Sequence, residues 1–184
     1  CRPAGSARRC RWCASHGPLV SGAVNLAQPA VSYANWFSYV TEDFVSQNRE
    51  IYRALRISHA LFPGRKLRFV MDSGGDDQKT FAFLEPNEFI ITAKHMNRLV
   101  EVYNPRLNRW ETEQLQNLVE CVLWQGAYQV AFRHAGRTRL AITHIGWFQI
   151  RLPDTHQPLW ALIVENDLYD HLLTLLTNIP ISCL

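Results

Sequence analysis

The sequence predicts an α/β domain whose second half is rich in strands. Three observations carry that expectation. A helical stripe of Ile51, Ala54, Leu55, Ser58 and Leu61 precedes two short apolar runs, Leu67 to Met71 and Phe89 to Ala93. The first run stops at Asp72-Ser73-Gly74-Gly75, which a tight turn favours. Beyond residue 98, apolar and polar residues alternate with period two in several segments.

The bounds agree with a folded domain. The 184 residues suffice for one sizeable core. A content of 47% hydrophobic and 19% charged residues is globular and excludes a disordered chain. A formal charge of +3 neither demands nor excludes a nucleic-acid partner. No apolar run is as long as a membrane span, and no secretory pattern opens the chain. The first residue is Cys rather than Met, so a fragment is expected.

Residues 1–23 read as a basic, disordered tail. Arg2, Arg8, Arg9 and Arg11 have no acidic neighbour before Glu42. Cys1, Cys10, Cys13 and His16 have the chemistry of a tetrahedral zinc set, but with one Cys-x-x-Cys and no second knuckle a plain basic tail is the favoured reading. No disulfide framework is visible, so a reducing cytoplasm is the expected compartment. Cys121 reads as an inert core thiol. Val24 to Gln28 alternates as a strand, and Tyr33, Trp36, Phe37 and Tyr39 serve either a packed core or base stacking. Ser46 caps a helix through Leu61, ended by Pro63-Gly64.

Leu67 to Met71 reads as a buried strand and Asp76 as the cap of a helix through Leu84. A strand over 88–93 follows, then another over Leu99 to Tyr103 and a turn at Asn104-Pro105. Trp110 to Leu123 reads as a helix with Leu115, Leu118, Val119 and Val122 inward. Tyr128, Val130 and Phe132 alternate into a hairpin turn at Ala135-Gly136. Residues 138–152 form a long strand kinked at Gly146. Leu159 to Glu165 and Leu172 to Thr177 complete the set.

Chemistry concentrates at two places. A carboxylate at the carboxyl end of a strand, beside glycines, suits metal-dependent phosphoryl transfer; on shape alone a plain turn cap is the favoured reading. Asp72 holds that position. The basic candidates for DNA are Lys94, His95 and Arg98, then Arg133, Arg137 and Arg139. Tyr128 to Leu152 holds four arginines, two histidines and no acid. Arginine forks suit phosphate, although a solvated sheet face has the same composition. His134, His144 and His156 share no metal-ligand spacing.

The stretch Arg68 to Lys79 resembles the second-aspartate motif of the DDE transposases of bacterial insertion sequences, the type-four, cut-and-paste group. In that motif a strand ends in Asp, followed by small or polar residues, a further Asp and a helix; here these are Asp72, Ser73-Gly74-Gly75 and Asp76. Phe89 to Arg98 resembles the family's apolar strand running into Lys-His-x-x-Arg. Leu175-Leu176-Thr177-Asn178-Ile179-Pro180-Ile181 resembles the strand that precedes its catalytic glutamate.

The resemblance implies a partial RNase H-like core over residues 24–98, a β-rich insertion over 99–170 and a returning core strand over 171–184. It implies Mg²⁺ in the complete enzyme, DNA strand cleavage and transfer at transposon ends, and DNA as partner, with no membrane role. It further implies a homodimer of the complete enzyme and a nucleoid-associated place in a bacterial cytoplasm. Three carboxylates hold two metals in this family. Asp72 alone is carried over, as catalytic residue and metal ligand. Asp43 lacks the context of the first aspartate, and the glutamate helix would follow Leu184. A fragment inactive by itself is therefore expected. The alternatives are a non-catalytic DNA-binding remnant and an unrelated hydrolase or phosphatase with Asp72 as nucleophile. Trp160 resembles an aromatic that braces a flipped base; a core tryptophan is the other reading.

Overall fold

A computed structural model describes residues 16–25, 28–38, 42, 44–85, 87–104, 106–134, 136–168 and 170–181. Cys1, Cys10, Cys13, Tyr39 and Asp43 lie outside the described residues, so three of the four zinc candidates fall there and only His16 is described. The chain divides into two compact units, Cys1–Arg65 and Lys66–Leu184.

The first unit holds an antiparallel hairpin and a helix. Strands β1 (His16–Asn25) and β2 (Gln28–Ser38) pair from His16↔Ser38 to Asn25↔Gln28, with a register shift at Ser21/Gly22. Two expectations change here. Residues 16–23 belong to a strand rather than to the tail, and Val24 and Gln28 fall on two different strands instead of one. Helix α1 (Gln47–Leu61) starts as its sequence directs: the Ser46 side chain accepts the Arg49 N–H at 3.2 Å. Glu50, Ile51, Ala54, Leu55 and Ser58 are buried on one stripe. Leu61, expected on that stripe, is exposed because the helix ends there: the Phe62 N–H bonds back to His59 O, and Gly64 takes φ +69°.

The second unit is built on one mostly antiparallel sheet of eight strands. They are β3 (Arg68–Met71), β4 (Glu88–Thr92), β5 (Leu99–Asn104), β6 (Arg109–Gln114), β7 (Gly126–His134), β8 (Arg137–Arg151), β9 (Pro158–Asn166) and β10 (Leu173–Thr177). Their order is β3-β4-β10-β9-β8-β5-β6, with β7 also on β8, and only β3 and β4 run parallel. The content is mixed α/β, as expected. The strands beyond residue 98 continue the sheet that contains β3 and β4.

One sheet face carries the core. The register aligns Phe89 and Ile91 with Leu176, then Ala161 and Ile163, then Ile150, all buried. Helix α2 (Gln78–Leu84) covers this face through buried Phe81 and Leu84. The Phe81 ring stacks on Phe89 at 5.3 Å between centroids. Helix α3 (Leu115–Glu120) adds buried Leu115 and Val119. Each such side chain contributes about 1.5–3 kcal/mol of transfer free energy. On the other face, Arg68, Ile90, Leu162, Leu175, Thr177, Ile179 and Ile181 line a shallow, largely apolar groove.

Four further expectations are corrected. Strand β3 is not buried: it stands at a sheet edge among the described strands, and Val70 is 73% exposed. Residues 109–114 are strand, not helix. Asn104 Oδ1 accepts the Arg106 and Leu107 N–H groups, and Asn108 turns at φ 51°. The chain therefore folds back and pairs β6 with β5, and Trp110 packs on Tyr103 and under the Arg151 guanidinium at 3.5 Å. Cys121 is exposed because it sits at the end of the shortened α3. Gly146 does not kink β8, whose pairing with β9 runs unbroken through Gly146↔Ile163. Its use is close approach: a Cβ there would lie 2.4 Å from Val122 Cγ2 and 2.9 Å from Leu123 O.

Candidate functional site

Parallel pairing of β3 and β4 sets Met71 against Ile91, so both strands end on the same side of the sheet. Asp72 follows one strand and Lys94-His95 the other. Crevices at the carboxyl ends of parallel strands are where α/β sheets place ligands.

Three aspartates divide the work after β3. Asp72 is exposed, and its Oδ1 accepts the Gly74 N–H at 3.0 Å, capping a 3₁₀ turn over Ser73–Gly75. Its second oxygen has no hydrogen-bond partner among the described residues. The sequence assigns the cap of the next helix to Asp76; Asp77 takes that role instead, accepting the Lys79 and Thr80 N–H groups at 2.8 and 3.4 Å. The 3₁₀ turn shifts the chain by one residue and sends Asp76 inward.

Asp76 is fully buried at its side chain and holds the loop after β4. Its Oδ2 accepts the Lys94 N–H at 2.6 Å and the His95 N–H at 2.9 Å. Its Oδ1 lies 2.5 Å from Arg98 Nη2. The Arg98 guanidinium stacks over Phe81, 5.2 Å from the ring centroid. The Arg98 N–H bonds to His95 O at 3.0 Å, closing the loop into a turn. Met96 O and Arg98 O accept the Gln116 and Leu115 N–H groups, which ties the turn to α3.

The expected DNA-facing set therefore separates. Lys94 and His95 are exposed beside the strand ends. Arg98 is 10% exposed and paired with Asp76, so its charge is committed to the fold. Arg137 and Arg139 are exposed on β8, away from the β3–β4 ends in the sheet order. Arg133 is on β7, and its side chain lies outside the described ones. Trp160 is half-buried on β9, paired with Gln149 and Thr177.

The third landmark packs against the second. The Thr177 hydroxyl donates to Phe89 O, Asn178 Oδ1 accepts the Phe89 N–H at 2.9 Å, and Asn178 Nδ2 donates to Asn87 O at 2.7 Å. Two side chains after the Leu-Leu pair thus satisfy backbone groups at the start of β4.

The donor set does not fit two divalent metals. Asp72 offers one uncommitted oxygen, Asp76 is neutralised by Arg98, and Asp77 is a helix cap. Among the described residues, no group of three or more His, Cys, Asp or Glu side chains could hold a metal. That includes the open hollow at β8 and β9 lined by His144, Glu165, Asp167, Asp170 and His171. The chemistry left at the strand ends is contact with an anion through the Lys94 ammonium and the His95 imidazole. No protein-family model matches the chain, and no curated protein is significantly similar to it.

Sequence reasoning missed the Asp76–Arg98 pair. Each residue falls within a landmark stretch, but no local spacing rule links a helix-start aspartate to an arginine beyond the following strand.

Proposed function

We propose that the chain is a DNA-binding piece of a DDE-type transposase, with β3, β4 and β10 drawn from an RNase H-like core and the remaining strands of the large sheet from its β-rich insertion. The described residues by themselves bind DNA without cutting it. One observation carries the reading. The three landmark segments, the third far from the other two in sequence, lie side by side in the order β3-β4-β10. Asp72 and Lys94-His95 then share one end of that trio, where Asp76 fixes the loop backbone and leaves the Lys94 and His95 side chains outward.

No catalytic step is assigned to these residues, since a single exposed carboxylate cannot clamp both sides of an in-line displacement. No helix among the described residues is long and apolar enough to cross a membrane.

The reading is tested by titrating the chain with a short DNA duplex across a salt series. Salt-dependent binding is expected, weakened in Lys94→Ala/His95→Ala, with a slope smaller by about 0.9 for each phosphate no longer neutralised. Absence of DNA binding by the unmodified chain contradicts the reading.

A further inference from the structure

Strand β8 is longer than its neighbours require. Its pairing with β9 begins at Thr143↔Asn166, with one more backbone bond from the Asp167 N–H to Ile142 O at 3.4 Å. Its pairing with β7 extends much further, to His134↔Arg137. The Arg137 to Ala141 segment therefore pairs with β7 alone among the described strands. At about 3.4 Å per residue, Arg137 to Leu140, which precede the buried Ala141, carry the exposed end of this two-stranded ribbon over roughly 14 Å. Gly136 turns the ribbon at φ +78°. Residues 136–140 are all exposed, as are Ala127, Gln129 and Ala131 on the facing strand.

The ribbon is charged in one sense. Gly126 to Ile142 contains Arg133, His134, Arg137 and Arg139 and no acidic residue. No ion pair engages Arg137 or Arg139 among the described residues. Directly paired residues share a face. Arg137 and Arg139 thus fall in one alternation with Tyr128 and Val130, while Thr138, Leu140 and Ile142 fall in the other. Two arginines two residues apart on one face stand about 6.8 Å apart along the strand, close to two base-pair steps. A two-stranded ribbon is also the right width for the major groove of B-form DNA, about 12 Å.

We infer that the β7–β8 ribbon is an arm that lays its Arg137/Arg139 face in the major groove of duplex DNA. The inference rests on the DNA-binding reading above and adds the element, the face and the groove.

The test is fluorescence anisotropy of the whole chain with a DNA duplex of about 20 base pairs, its single strand, and double-stranded RNA of equal length. The variants are Arg137→Ala/Arg139→Ala, Arg137→Gln/Arg139→Gln, and Thr138→Ala as the control in the opposite alternation. Both arginine pairs are expected to lose about tenfold or more in duplex affinity, with the salt slope smaller by about 1.8; Thr138→Ala is expected to match the unmodified chain. Double-stranded RNA is expected to bind more weakly than DNA, because its major groove is too deep and narrow to enter. Methyl green, which occupies the major groove, is expected to compete, and distamycin, which occupies the minor groove, is not. Unchanged duplex affinity in both arginine pairs overturns the arm while leaving the DNA-binding reading in place. Equal binding to single strand or RNA, or competition by distamycin alone, overturns the groove assignment. Absence of binding to any of the three overturns both readings at once.

Discussion

The two ends of the β3–β4 pair use the same kinds of side chain to opposite effect. At the carboxyl end, Asp76 and Arg98 form an ion pair with almost no exposure, and Asp76 also takes two backbone N–H groups. At the amino end, Glu88 meets Lys66 Nζ at 2.8 Å and Arg68 at 2.9 and 2.7 Å, in solvent. Burial decides what each is worth. The exposed cluster is screened by water and salt and contributes little. The buried pair is strongly coupled to the fold, because loss of either partner strands a charge without solvation. The carboxyl end is where a loop must be held still, and the buried pair is placed there.

The comparison is broken most directly by truncating the buried acid. Asp76→Ala is expected to cost about 3–5 kcal/mol by leaving Arg98 unpaired. The adjacent Asp77→Ala is expected to cost about 1 kcal/mol as a lost helix cap. Urea unfolding of both variants measures the pair, and equal losses would show that Asp76 is no more than a second cap.

These adjacent aspartates also show what is legible in the sequence. Helix α1 is readable because cap, stripe and Pro-Gly stop agree at every level. The β7–β8 hairpin is readable for the same reason, from alternation and an Ala-Gly turn. Asp76 misleads because the local rule for an acid before a helix is satisfied one residue later, by Asp77. Its real partner lies past β4, where no periodicity points. The apolar run of β3 looks the same whether a strand is central or at an edge, since only the neighbouring strands decide. Residues 109–114 read as helix because Leu115, Leu118, Val119 and Val122 carry helical spacing just beyond them. The turn at Asn104 to Asn108 and pairing with β5 override that signal for these six residues. Among the candidate DNA contacts, Lys94 and His95 are exposed, while the charge of Arg98 is turned inward.

A smaller effect is expected at the amino end. Hydrogen bonds from Lys66 and then Arg68 hold the Glu88 carboxyl below the usual carboxylate range. A carboxylate depressed in the folded state stabilises fully above its unfolded value of about 4.3 and ceases to do so as pH falls through the folded value. Glu88→Gln is therefore expected to lower stability slightly at neutral pH and hardly at all in acid, with the difference shrinking in high salt. Thermal unfolding at pH 7 and at acid pH, each at two salt concentrations, measures it. A large loss independent of salt would mean that the exposed cluster behaves like the buried pair.

The central claim is that these residues engage DNA without assembling a cutting site. The direct measurement is incubation of the purified chain with supercoiled plasmid in Mg²⁺ and in Mn²⁺, alongside Asp72→Ala. The account predicts retarded but uncut plasmid, identical for both proteins. Metal-dependent nicking that disappears in Asp72→Ala would contradict it.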